Sequence, residues 1–183
     1  MRVEITPITK LQYEKVHFHS VRVCIDDNPK RDSEFKDFYN RMKLNAKNSS
    51  DFQELMVFAE QIGTIYGAID RKFKKEDKAE RLNQPLKIIE VENEKGNGDY
   101  GLRLYCIRID EHNVILFNGD RKTVSGDIMG CENCKPYFLR ANTLATAILN
   151  AFASGDFRIE DKFKIIVREG FTLNVDNYGQ RQH

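Results

Sequence analysis

Long apolar runs are missing from this chain. None approaches the roughly 20 residues that a membrane-spanning helix needs. The opening MRVEITPITK has no apolar stretch of the secretory kind, so a cytoplasmic location is expected. An excess of charge of one sign is missing as well. Lys and Arg total 29 against 28 Asp and Glu, a net +1 over 183 residues. A general polyanion binder usually carries a larger excess, so any contact with nucleic acid must come from local clusters. Cysteines are few (Cys24, Cys106, Cys131 and Cys134), and a cytoplasmic chain keeps them reduced. No G-x-G-x-x-G, P-loop, H-E-x-x-H or EF-hand pattern occurs, and there is no internal repeat or low-complexity linker.

The remaining composition is that of a soluble globular protein, 40% apolar and 31% charged. It suits one domain, or one domain with an appended subdomain. Residues 2–6 and 16–25 read as strands, although the alternation slips near Ser20. Asp26-Asp27-Asn28-Pro29 makes a turn. Phe35, Phe38, Tyr39 and Met42 then follow at helical spacing. Ser50 and Gln53 are spaced as a capping box for a second helix, whose apolar face is Phe52, Leu55, Met56, Ala59, Ile62 and Tyr66, with Gly67 as its stop. Residues 70–83 are charged and weakly periodic, a frayed helix or a loop. Leu86–Val91 is a further strand candidate, with Lys87 turned away from Leu86 and Ile88.

Residues 101–123, GLRLYCIRIDEHNVILFNGDRKT, read as a hairpin with cations along it. Asp110-Glu111-His112-Asn113 makes its turn, Val114 to Phe117 return, and Asn118-Gly119-Asp120 ends the second strand. Arginine, lysine and tyrosine on one sheet surface can hold a phosphate backbone and stabilise charge that develops on it. Lys72, Lys74, Lys75, Tyr105 and Arg108 are candidate RNA contacts; the mixed charges around the lysines fit a solvated face about as well. Residues 137–154 form the clearest helix, with Ala141, Leu144, Ala145, Ile148, Leu149 and Phe152 on one face and Gly155 just beyond its end. Phe163–Val167 and Phe171–Val175 read as a last hairpin around Glu169-Gly170, and residues 177–183 as a tail. The whole order is α+β.

The helices followed by L-R-L-Y-C-I-R-I, an acidic turn, V-I-L-F, a glycine and basic residues resemble the RelE/HigB-like toxins of bacterial toxin–antitoxin systems, in their phage-derived and Bacteroidetes-type branch. The resemblance is firmest over 101–123 and extends more loosely over 50–123. It implies two helices on a small twisted antiparallel sheet in residues 1–124, to which residues 125–183 add a helix and hairpin packed on the same core. The implied activity is ribosome-dependent cleavage of mRNA, by attack of a ribose 2′-OH on the adjacent phosphate. That reaction needs a base, cations for the charged phosphorane and an acid for the leaving oxygen.

On the resemblance, Arg103 would hold the scissile phosphate. Arg121, or its neighbour Lys122, would neutralise charge or protonate the leaving group, and Lys87 would position RNA or act as a base. The family's C-terminal tyrosine or histidine has no clear counterpart; Tyr137 is the nearest downstream. The implied partners are an antitoxin, the ribosome and mRNA, with a homodimer contact open to the 137–154 helix. No cofactor is implied. A zinc site from Cys131 and Cys134 with His17 and His19 is a weaker alternative, since one C-x-x-C supplies only half a ligand set. Two rival readings stay open. One is a catalytically inactive protein of the same fold, of phage or mobile-element origin, that binds a protein through its sheet or added helix. The other is an unrelated α+β binding domain. The nuclease reading requires Lys87, Arg103 and Arg121 to line one basic surface.

Overall fold

In the computed structural model, residues 2–24, 32–45, 49–76, 78–82 and 100–175 are described. A mixed sheet runs through the middle of the molecule. Its strands are β1 (Arg2–Gln12), β2 (His17–Cys24), β3 (Phe73–Glu76), β4 (Ala79–Leu82), β5 (Gly101–Arg108) and β6 (Asn113–Lys122), with a two-residue β9 (Leu173–Asn174) at one edge. The order across the sheet is β3-β4-β5-β6-β2-β1-β9. All neighbours are antiparallel except β2 and β6, which run parallel, so the purely antiparallel sheet that the resemblance implies is not what forms.

Helices cover both faces. α1 (Glu34–Leu44) and α2 (Ser49–Gln61) lie on one side, and α3 (Lys135–Ala153) lies on the other with a separate hairpin of β7 (Phe157–Glu160) and β8 (Lys164–Val167). The two faces have separate cores. Phe18, Phe38, Leu55, Ile62, Leu104 and Leu116 fill the first. Val21, Tyr105, Ile107, Ile115, Leu144 and Ile148 fill the second. Each such side chain stabilises the fold by about 1.5–3 kcal/mol when fully buried. Residues beyond 124 therefore build one face of the shared sheet, and β9 pairs with β1 at Arg2 and Val3.

The slip at Ser20 has a physical cause. Val16 and Phe18 belong to the first core, and Val21 and Val23 to the second, so β2 is apolar on both sides. Ser20 itself is buried. Its hydroxyl donates to Leu116 O at 3.0 Å and accepts from Phe35 N at 3.0 Å, which ties β2 to β6 and to the start of α1. Ser33 caps α1 by accepting from Lys36 N. α2 begins at Ser49, so Ser50 lies inside the helix and is no cap residue. The last turn of this helix widens into a π-helical segment, Ile62–Tyr66, and stops at Gly67 (φ 77°), as expected.

Other expectations are corrected. Residues 70–76 and 79–82 hold a short 3-10 turn and the paired strands β3 and β4, neither a frayed helix nor a loop. Asn142 of α3 accepts from Lys78 N and Ala79 N at 2.8 and 2.7 Å and fixes the connection between these strands. β6 does not end at Asn118-Gly119-Asp120 but runs on to Lys122. β8 pairs with β7 around Asp161 and Lys162, both at positive φ, while residues 173–174 join the main sheet. α3 matches its expected face, except that Leu149 is 38% exposed, and Gly155 (φ 78°) takes the left-handed conformation beyond its end. The strand candidate Leu86–Val91 and Lys87 lie outside the described residues. Among the described residues, no helix is long and apolar enough to cross a membrane.

Candidate functional site

The hairpin of β5 and β6 carries most of the candidate residues, and one bulge decides where they go. Cys106 pairs with Leu116, but Leu104 pairs with Gly119, so β6 has an extra residue at Phe117-Asn118. A one-residue shift turns every later side chain to the other face. Continued from Cys106 and Leu116, the register would put Arg121 on the face of Arg103. The bulge instead sets Arg121 opposite Leu102 and Asp120 opposite Arg103.

Arg103 is therefore on the α3 side, 1% exposed. Arg121 is on the α1/α2 side, 27% exposed at the side chain, and ion-pairs with Asp51 of α2. Lys122, 6% exposed, donates to Gly126 O at 2.6 Å. Arg103 and Arg121 thus face opposite sides of the sheet, which corrects the expected surface of Lys87, Arg103 and Arg121; Lys87 lies outside the described residues.

The candidate RNA contacts are also dispersed. Tyr105 is fully buried against Phe138. Arg108 donates to Ala68 O at 3.1 Å and ion-pairs with Asp70. Lys72 stacks over the Tyr66 ring at 3.5 Å. Among the described candidates, only Lys74 and Lys75 are exposed, on the edge strand β3.

What the structure gathers instead is a network around Arg41, where β6 passes between α1 and the start of α3. Asp37 and Arg41 are one helical turn apart on α1, and Arg41 Nε donates to Asp37 Oδ2 at 3.0 Å. Nη1 donates to Asp120 Oδ2 at 3.1 Å. Nη2 donates to Asn118 Oδ1 at 2.6 Å and to Gly119 O at 2.8 Å. Asn118 in turn donates to Asp37 Oδ2 at 2.9 Å. Burial alone would raise the Asp37 carboxyl, but the Asn118 amide and the Arg41 guanidinium outweigh it and hold it below the ordinary value.

The Tyr137 ring sits under Arg41 at 4.6 Å and beside Arg140 at 5.9 Å, and Arg140 lies 3.7 Å from Glu34. Burial raises the Tyr137 phenol above its usual value, with Asp120 and Asp37 adding to it against the two arginines. Tyr137 thus serves as a platform for the two cations. At most one Arg41 N–H is left over by these acceptors, so Arg41 cannot grip a phosphate with two parallel hydrogen bonds. The network is a brace between α1, β6 and α3. The Asp37–Arg41 spacing was visible in the sequence; its partners on β6 were hidden by the bulge.

A second cluster lies at the other end of β6. His17 stacks on Phe163 at 4.0 Å and His112 meets the same ring edge-on at 5.8 Å. His19 Nε2 is 3.3 Å from Asn113 Oδ1, and Asn113 donates to Asp110 and to Lys162 O. His17 and His19 are thus at the opposite end of β6 from Cys131 and Cys134, which touch Asp120 and Arg121, so these four cannot share a zinc ion. Among the described residues, no group of three or more His, Cys, Asp or Glu is placed to hold a metal.

Burial lowers His17, and lowers His19 against the opposing pull of Asn113 and Asp110. In the unfolded chain both titrate near 6.5. Below that value the unfolded state binds more protons, so their stabilising contribution is complete above it and is lost as pH falls through the lower folded values. Melting temperature should therefore drop between about pH 7.5 and pH 5.5, and Phe163→Ala should shrink the drop. An unchanged profile in both proteins would contradict this.

Comparison of the chain with protein-family models, with curated proteins and with solved structures finds no significant match.

Proposed function

We propose that this chain is a non-catalytic, protein-binding α+β module, the inactive counterpart of the toxin-like ribonuclease that residues 101–123 resemble. The observation that carries this reading is the opposite facing of Arg103 and Arg121. A phosphorane needs its cations converging on one linkage. Arg103 is sealed beneath α3, Arg121 is held by Asp51, and Arg41 is taken up by its own acids and carbonyls.

Both edges of the sheet discourage strand addition. β3 offers Lys74 and Lys75, and the open length of β1 carries exposed Pro7 and Lys10. The outer side of α3 is better suited to a partner. There Leu139, 46% exposed, opens onto a groove of about 800 Å³ between α3 and residues 171–175, with Thr143 and Asn150 on its rim and Phe171 and Leu173 in its wall. The partner is a protein seated in this groove, whose lining mixes Leu139, Phe171 and Leu173 with Asn142, Thr146 and Asp156, the place an antitoxin-like companion would take.

Expression without a partner tests the reading. Growth should continue normally with the protein soluble. Arrest that Arg103→Ala with Arg121→Ala relieves would favour the nuclease.

A further inference from the structure

The pair Cys131 and Cys134 is left without a role by the module described above. Both cysteines are fully buried and unbridged. Cys134 sits at the start of α3, and its thiol donates to Asp120 O at 3.3 Å; the Cys131 thiol lies 4.0 Å from the next carbonyl, Arg121 O. The turn between them is closed by Lys135 N donating to Cys131 O at 2.8 Å. The two sulfurs, three residues apart in one turn, therefore lie against consecutive carbonyls of β6.

Their neighbours in the chain, Met129, Gly130, Glu132, Asn133, Lys135 and Pro136, are all exposed, so the turn that carries the pair is at the surface. No metal-binding group includes the pair among the described residues.

We propose that Cys131 and Cys134 are a reversible dithiol–disulfide pair, in which Cys131 attacks an incoming glutathione-type disulfide and Cys134 resolves the adduct. In the first step the Cys131 thiolate forms a bond to one sulfur of the oxidant. The oxidant's S–S bond breaks, and the departing thiolate takes up the proton that Cys131 gave to solvent. In the second step the Cys134 sulfur, its own proton lost to solvent, attacks Cys131 and expels the second glutathione as a thiol. Two protein thiols are oxidised by two electrons, and one external disulfide is reduced to two thiols.

The environments of the two thiols support this division of labour. Burial raises Cys131, but hydrogen bonds from Thr123 and Cys134 more than offset it and leave it below the ordinary thiol value. Burial raises Cys134 strongly, with Cys131 and Asp120 adding to it, and Arg103 pulls the other way. The buried arginine expected to hold a phosphate thus lies within electrostatic reach of a thiol. Oxidation removes both S–H donors from the carbonyls of Asp120 and Arg121, the end of β6 that carries the Arg41 brace.

The test uses the full-length native protein in buffers of reduced and oxidised glutathione, quenched with acid, alkylated after unfolding and mapped by mass spectrometry. The expected product has an internal Cys131–Cys134 disulfide, two hydrogens lighter, with Cys24 and Cys106 still alkylated. In Cys134→Ser the reaction should stop at one glutathione on Cys131. In Cys131→Ser, glutathione addition to Cys134 should be at least about tenfold slower. Two results with the wild-type protein would overturn the proposal, even if neither variant folds. One is four free thiols under conditions that oxidise a Cys-Glu-Asn-Cys peptide; the other is a glutathione adduct that persists without resolution.

Discussion

Gly119→Ala is expected to lower the melting temperature by roughly 6–12 °C, the equivalent of about 3 kcal/mol for a chain of this size. A β-carbon built at Gly119 would lie 1.7 Å from Arg103 O and 2.7 Å from its carbonyl carbon. The obstacle is backbone in the two central strands, so no side-chain rotation relieves it. The requirement here is space, not a left-handed backbone. Gly119 also follows the bulge that turns Arg121 away from Arg103 and supplies a carbonyl to Arg41. Strain at this position is therefore felt in the brace as well as in the sheet. Thermal unfolding of the variant measures it, and a melting temperature within a degree or two of the wild type would show that β5 and β6 are not packed this closely.

Arg41→Ala should cost about 2–3 kcal/mol, the range for losing charge-assisted hydrogen bonds and leaving their acceptors unpaired. The value is kept below that of a fully buried pair because the Arg41 side chain is 30% exposed and Asp37 is 50% exposed. Arg41→Lys should recover little, since a single ammonium cannot serve Asp37, Asp120, Asn118 and Gly119 at once. Urea denaturation separates the cases: the midpoint should fall with an unchanged slope. A double-mutant cycle with Asp120→Ala should give a coupling of about 1 kcal/mol. A coupling near zero would mean that the two side chains are neighbours without being partners.

The parts of the fold that the sequence revealed are those written in local periodicity. The apolar face of α3 is an example: Ala141, Leu144, Ala145 and Ile148 recur at helical spacing, and Gly155 follows where the helix stops. The β5–β6 turn is another, because Asp110 to Asn113 interrupts two clearly apolar runs. What stayed hidden depends on contacts between distant residues. FKKEDKAERL has too few apolar residues to announce β3 and β4; Asn142 from α3 completes them. The pairing of residues 173–174 with β1 leaves no local mark either.

The candidate site failed to assemble for a narrower reason. Counting in twos from the β5–β6 turn puts Arg103 and Arg121 on one face, and a single extra residue at Phe117-Asn118 reverses that count. Asn118-Gly119-Asp120 reads as the end of a strand because those residues favour turns; the same preference suits a bulge. Arg41 carries no local signal, since its importance comes from β6, far along the chain.

Purified protein added to a cell-free translation reaction, with the 5′ ends of the translated mRNA mapped, tests most directly whether the hairpin's arginines hold the fold together or cut RNA. Transcripts are expected to remain intact at ribosome-occupied codons at every protein concentration tried. New 5′ ends within those codons, abolished by Arg103→Ala with Arg121→Ala in protein that is still folded, would contradict a purely structural role for both residues.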